Sequence, residues 1–174
     1  MFQDGGGGSP WYPAFLNHRP NQFVIGYAVA DGLSLANLDS DGKVSTSPVA
    51  QLDTTGGRPT ELCWLSISPD DRFVFATMFG YSYVTSFRVE GNVVSVAKDP
   101  ACPAVPGDGS YRSLNGHVSS GPSDNWLCPN GDYLYQIYGN ASTLVGYAVQ
   151  EDGGLEEVTR AEIPYNSCQG LAGI

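Results

Sequence analysis

Short apolar runs recur along the chain in a fixed rhythm. Phe23-Val24-Ile25, Phe73-Val74-Phe75 and Tyr133-Leu134-Tyr135 each open one. A second run follows at Leu33, Val84 and Leu144, then an acidic, Gly-rich turn, then a third run. The second and third openings lie 60 positions apart, and the step from opening to second run is 11 positions in both. Alternation with a period of two predicts strands, and a repeat made only of short strands predicts β-propeller blades.

The middle unit is the clearest. Trp64–Ser68 is predicted as its first strand, Pro69-Asp70-Asp71 as a tight turn, and Arg72–Met78 as the second strand. Tyr83–Val89 follows as the third, Glu90-Gly91-Asn92 as a hairpin turn, and Val93–Ala97 as the fourth. The last unit repeats this with Asp124–Cys128, Asp132–Tyr138, Thr143–Val149 and Leu155–Ala161. The first is looser: Trp11–Leu16, Gln22–Val29, Gly32–Leu38 and Lys43–Ala50. Residues 168–174 match only the first strand of a further unit. The expected fold is therefore all-β: a β-propeller of about three four-stranded antiparallel blades plus one C-terminal strand. Residues 1–10 form a flexible Gly-rich segment, and residues 11–174 form one partial domain with blades near 11–55, 63–100 and 123–163. Smallest closed propellers have four blades, so the domain either continues upstream or closes by self-association. The rival is another all-β fold of three hairpin pairs.

Composition narrows the class. Hydrophobic residues at 41% and charged residues at 15% exclude a disordered chain. A net charge of -10 argues against nucleic acid or an anionic membrane as partner. No apolar stretch is long enough for a membrane helix, and Met1-Phe2-Gln3-Asp4-Gly5 does not open a signal peptide. Cys63, Cys102, Cys128 and Cys168 lack zinc-site spacing and read as small buried hydrophobes, although their even number also permits disulfides. No metal or cofactor motif occurs. Asn140-Ala141-Ser142 fits a glycosylation acceptor, a triplet common by chance.

The segment Pro59-Thr60-Glu61-Leu62-Cys63-Trp64-Leu65-Ser66-Ile67-Ser68-Pro69-Asp70-Asp71-Arg72-Phe73 resembles the blade opening of lactonase-type seven-bladed β-propellers. Those run Pro-Cys-Trp, then alternating apolar residues, then Ser-Pro-Asp-Gly-Arg. Gly121-Pro122-Ser123-Asp124 resembles the family's Gly-Pro-Thr-Asp opening, and Gln169-Gly170-Leu171-Ala172 its C-terminal Gln-Gly-Ile-Ala. The resemblance implies about four further blades upstream. The family includes 6-phosphogluconolactonases and carboxymuconate-cyclising enzymes. Asp71 departs from the pattern, standing where the family has Gly. The motifs are structural, and no catalytic residue of the family maps onto the chain.

In a four-stranded blade, the loop entering the first strand and the loop between the second and third lie on one face, where loops carry function. The loop from Lys98 to Ser123 is long enough to suggest a role. It holds Arg112 and His117. Arg58 and Glu61 occupy the corresponding loop one blade earlier, and Asp124 opens the next first strand. Lactone chemistry needs a base and a positive group. His117 or Glu61 suits the base. Arg58 and Arg112 suit an anion clamp, with Asp124 at the channel mouth. Each also has a plain structural role open to it: a surface histidine, loop-holding arginines, a turn cap. The expected function is hydrolysis or formation of a lactone of a small anionic sugar or dicarboxylate. The alternatives are a non-catalytic propeller that binds an unidentified protein or ligand, or an inactive C-terminal fragment.

Overall fold

The computed structural model describes residues 9–52, 60–114, 116–166 and 170–173. Three antiparallel sheets follow one another along the chain, each a meander of neighbours in sequence. Blade one comprises β1 (Pro10–Phe15), β2 (Gln22–Tyr27), β3 (Gly32–Leu38), β4 (Val44–Thr46) and β5 (Ala50–Gln51). Blade two comprises β6 (Leu62–Ile67), β7 (Phe73–Met78), β8 (Tyr83–Glu90) and β9 (Val93–Lys98). Blade three comprises β10 (Pro122–Leu127), β11 (Tyr133–Tyr138), β12 (Thr143–Val149) and β13 (Leu155–Glu162), with a single 3-10 turn at Gly139–Ala141.

Strand alternation sends one set of side chains toward each neighbouring blade. Between blades one and two, Val24, Leu33 and Leu35 pack with Leu62, Leu65, Val74, Ala76, Met78 and Phe87, all buried. The opposite side of blade two, Phe73, Phe75 and Val84, packs with Leu134, Val145 and Tyr147 of blade three. Blade two is thus covered on both sides. Blade one keeps Trp11 and Phe15 exposed, and blade three Tyr133 and Val158.

Two sequence expectations are corrected, and a third is described only in part. The fourth strand of blade one, expected over Lys43–Ala50, is split into β4 and β5, both paired with β3. Pro48 has no N–H for the ladder, and Ser47 diverts its hydroxyl to the Leu35 N–H at 3.0 Å. The first strands of blades two and three start at Leu62 and Pro122, two residues earlier than the apolar alternation indicates. A bulge follows each start, between Leu62 and Leu65 and between Pro122 and Asn125, and breaks the period of two there. Finally, Gly170–Gly173 run without strand pairing; the other residues of the expected C-terminal strand, at 168, 169 and 174, lie outside the described residues. The Leu171 N–H bonds the Asp124 carboxylate at 3.0 Å. A Cβ on Gly173 would collide with the Trp126 ring, so the tail lies tight against β10.

Cys63, Cys102 and Cys128 are free thiols. Burial pushes the Cys63 thiol up to about 12 and raises that of Cys102, as expected of inert packing cysteines.

Candidate functional site: the loop face of blades two and three

The turn between second and third strands is built the same way in all three blades. It ends on a residue in the left-handed region: Asp31 (φ +48°), Ser82 (φ +64°) and Ser142 (φ +49°). The residue just before each first strand is left-handed too: Ser9 (φ +56°), Glu61 (φ +59°) and Gly121 (φ +64°). Backbone bonds tie these two segments together within a blade. The N–H groups of Phe79 and Gly80 donate to the carbonyls of Glu61 and Thr60, and those of Gly139 and Asn140 to Gly121 and Ser120. The two sets of loops therefore share one face, as the strand pattern predicts.

Side chains then join each blade to the next. The Asp31 carboxylate accepts the Thr60 N–H at 2.6 Å, and the Ser82 hydroxyl accepts the Ser120 N–H at 2.9 Å. The long loop after β9 is fastened along its length rather than hanging free. Ala101 and Val105 donate to the Val84 and Ser82 carbonyls, the Leu155 N–H donates to the Ala101 carbonyl, and Ser119 Oγ donates to the Phe79 carbonyl at 2.5 Å.

Glu61 is the most unusual residue of this face. It is 9% exposed. Its Oε1 accepts the Leu114 N–H at 3.2 Å, while Oε2 is buried with no hydrogen-bond partner among the described residues. Burial raises its pKa; the Leu114 N–H opposes the rise, and the nearby Asp31 charge adds to it. Asp31, 2% exposed, is a second such group: its Oδ1 has no hydrogen-bond partner among the described residues, and burial likewise raises its pKa. Asp31 was not singled out by the sequence pattern, since only the fold brings the turn after β2 against Thr60.

The other expected site residues fall into place differently. Arg112 and Val118 form an isolated bridge, and Arg112 Nη1 donates to the Gly116 carbonyl at 3.1 Å. The guanidinium thus closes its own small hairpin, the structural role, and is exposed. His117 sits in that hairpin, exposed, with its ring 4.9 Å from the Tyr81 ring. The hairpin rests on Glu61 through Leu114, so Glu61, Arg112 and His117 belong to one neighbourhood. Asp124 is half-buried and anchors the C-terminal tail. Arg58 lies outside the described residues. Among the described residues, no group of three or more His, Cys, Asp or Glu is placed to hold a metal ion.

A cavity of about 370 Å³ opens on the same face between blades two and three. Phe79 and Tyr111 form one wall, their rings edge to face with centroids 5.3 Å apart. Tyr165 and Ser110, joined by a 2.6 Å hydroxyl–hydroxyl bond, form another, and Gly121, Ser123, Asn140 and Asn166 complete the lining. Asn140 is 7% exposed, which also makes it a poor glycosylation acceptor. It takes the place in blade three that Gly80 holds in blade two, while Gly121 takes the place of Glu61. Glu61 thus stands just before the first strand of blade two, and Asn140 in the turn after the second strand of blade three.

No protein-family model matches the chain, and no curated protein is significantly similar to it. Solved structures do match. A Lactobacillus plantarum protein superposes with a TM-score of 0.69 at 19% identity, over 93% of this chain and 44% of that one. A periplasmic gluconolactonase from Pseudomonas aeruginosa gives 0.61 at 21%, over 92% of this chain and 44% of that one. A candidate 6-phosphogluconolactonase from Bacteroides uniformis gives 0.57 at 18%, over 88% and 42%. The class so defined is a partial β-propeller. More closely, the chain has the fold of lactonase-type propellers and spans less than half the length of the structures it matches.

Proposed function

We propose that the chain is the lactone-handling part of a lactonase-like propeller, acting at its loop face with Glu61 as the base. One observation carries the reading. A carboxylate is buried at a left-handed φ in blade two, where blade three has glycine, and one of its oxygens has no hydrogen-bond partner among the described residues. Strain and burial of this kind concentrate at functional sites. A raised pKa brings a carboxylate nearer the working pH and makes it a stronger base.

In the proposed step, Glu61 takes a proton from water as the water oxygen bonds to the lactone carbonyl carbon. The ring C–O bond then breaks and the proton passes to the departing ring oxygen, leaving an open hydroxy acid. Glu61 is held against the Arg112–Val118 hairpin by the Leu114 N–H, which keeps its carboxylate in the neighbourhood of His117. His117, in the hairpin, and Arg58, in the entering loop, are the proposed partners for the developing oxyanion. The substrate is a small sugar or dicarboxylate lactone.

The test is lactone hydrolysis by the chain, followed by acid release. Turnover should rise with pH through the raised Glu61 pKa, and Glu61→Gln should lower it roughly 10²-fold or more. Unchanged turnover in a folded Glu61→Gln protein rejects the assignment. The second reading, a ligand-binding propeller without turnover, is favoured by the cavity, whose lining includes no carboxylate or imidazole among the described residues.

A further inference from the structure

We propose that the cavity between blades two and three binds a neutral polyhydroxylated ring of monosaccharide size, through the Asn140 carboxamide and the aromatic wall of Phe79 and Tyr111. The inference shares the loop face of the proposed lactone chemistry but does not depend on turnover.

Asn140 carries the argument. Its main-chain N–H is satisfied by the Ser120 carbonyl at 2.7 Å. The residue is 7% exposed, and its side chain lines the cavity and makes no hydrogen bond with a described residue. The carboxamide therefore keeps its hydrogen-bonding capacity for whatever occupies the cavity, and a polar group held at a cavity wall in this way fixes the orientation of what enters. The carboxamide offers two donors and an acceptor side by side, which matches two adjacent hydroxyls of a sugar ring. The carboxamide of Asn166 and the hydroxyls of Ser110 and Tyr165 lie on the lining around it.

The walls fix the rest of the class. Tyr111 is 41% exposed and stands edge-on to Phe79, so an aromatic surface faces the opening. Apolar C–H faces of a ring bury well against such a surface. A volume near 370 Å³ is at the small end of ligand pockets and suits a single ring. Among the described residues, no lining residue carries a formal charge near neutral pH. A phosphate or carboxylate needs charged or converging donors to leave water, and a chain of net charge -10 repels anions at a distance.

Gly121 shows that the floor is shaped for this side chain. It sits at φ +64°, and a Cβ there would come within 2.8 Å of Asn140 Nδ2. Only glycine leaves the carboxamide in place.

The experiment is calorimetric titration of the chain with neutral rings (D-glucose, D-galactose, D-xylose) and with charged counterparts (D-gluconate and 6-phosphogluconate). At least one neutral ring should bind saturably, with the charged probes 10-fold or more weaker. Asn140→Ala should weaken binding at least 10-fold, and Tyr111→Ala, at an exposed position, several-fold. If Asn140→Ala loses its near-UV dichroism, Tyr111→Ala decides. The proposal is overturned if no neutral ring binds the folded chain, if a charged probe binds more tightly, or if Tyr111→Ala leaves affinity unchanged. Loss of turnover in Glu61→Gln with ring binding intact would bear on the catalytic reading alone.

Discussion

Glu61 adopts a backbone conformation that suits glycine, at φ +59°. The left-handed region costs a residue with a Cβ roughly 1–2 kcal/mol, and burying a carboxylate costs more. The pKa of Glu61 is raised above its ordinary 4.5, chiefly by burial. The folded chain therefore holds this proton more tightly than the unfolded chain. Stability from the protonated group is complete below the ordinary value and is lost as pH climbs to the raised one. Glu61→Gln keeps an oxygen for the Leu114 N–H and removes the titration. Denaturant unfolding at a series of pH values should show wild-type stability falling, relative to Glu61→Gln, as pH rises from the ordinary carboxylate range toward neutrality. Parallel curves would mean that the carboxylate does not feel its burial.

Within the elements, two turns on the opposite face show how one design accepts different residues. In blade two, Ser68 Oγ accepts the Phe73 N–H at 2.8 Å; in blade three, Cys128 Sγ accepts the Tyr133 N–H at 3.0 Å. The left-handed position is Asp71 (φ +60°) in one and Gly131 (φ +81°) in the other. Asp71 repays its strain across the blade boundary: its carboxylate accepts the N–H groups of Asn17 at 2.6 Å and His18 at 2.8 Å, and Asn17 Nδ2 at 2.9 Å. The departure from the family's glycine is thus a clamp on blade one. Asp71→Gly relieves the strain and isolates the clamp; it should destabilise the chain by about 1.5–3 kcal/mol in denaturant unfolding. Asp71→Ala should cost more, since the strain stays. A neutral Asp71→Gly would mean that the clamp contributes nothing.

Strands such as Tyr83–Glu90 and Thr143–Val149 are legible in the sequence because apolar and aromatic residues recur along them between turn residues, although their centres are buried on both sides and each carries a bulge against its outer neighbour. The bulged first strands and the β4–β5 break are not, because a bulge or a proline changes pairing without changing apolar content. The loop face is legible, and so is Glu61 as a member of it. Asp31 and Asn140 are not. Asp31 matters through a bond to Thr60, 29 residues away, and Asn140 through space that Gly121 leaves open. Neither relation leaves a local pattern.

At the scale of the whole molecule, blade two is the joint. Its two sides belong to separate hydrophobic clusters that share no buried residue. Polar bonds reinforce the second junction: Thr77 Oγ1 donates to Gln136 Oε1 at 2.8 Å and accepts from Asn125 Nδ2 at 3.0 Å, with all three side chains buried. Blades one and three meet blade two, and their far sides expose Trp11, Phe15, Tyr133 and Val158. This linear order distinguishes a propeller segment from a bundle of three sheets around one shared core. Methyl and aromatic NOE spectroscopy tests it most directly. Leu33 and Leu35 should show contacts to Leu65 and Val74, and Leu134 and Val145 to Phe75 and Val84, with none between the Leu33–Leu35 pair and the Leu134–Val145 pair. Contacts between those two outer pairs, or a missing set at either junction, would contradict the fold on which the loop-face site depends.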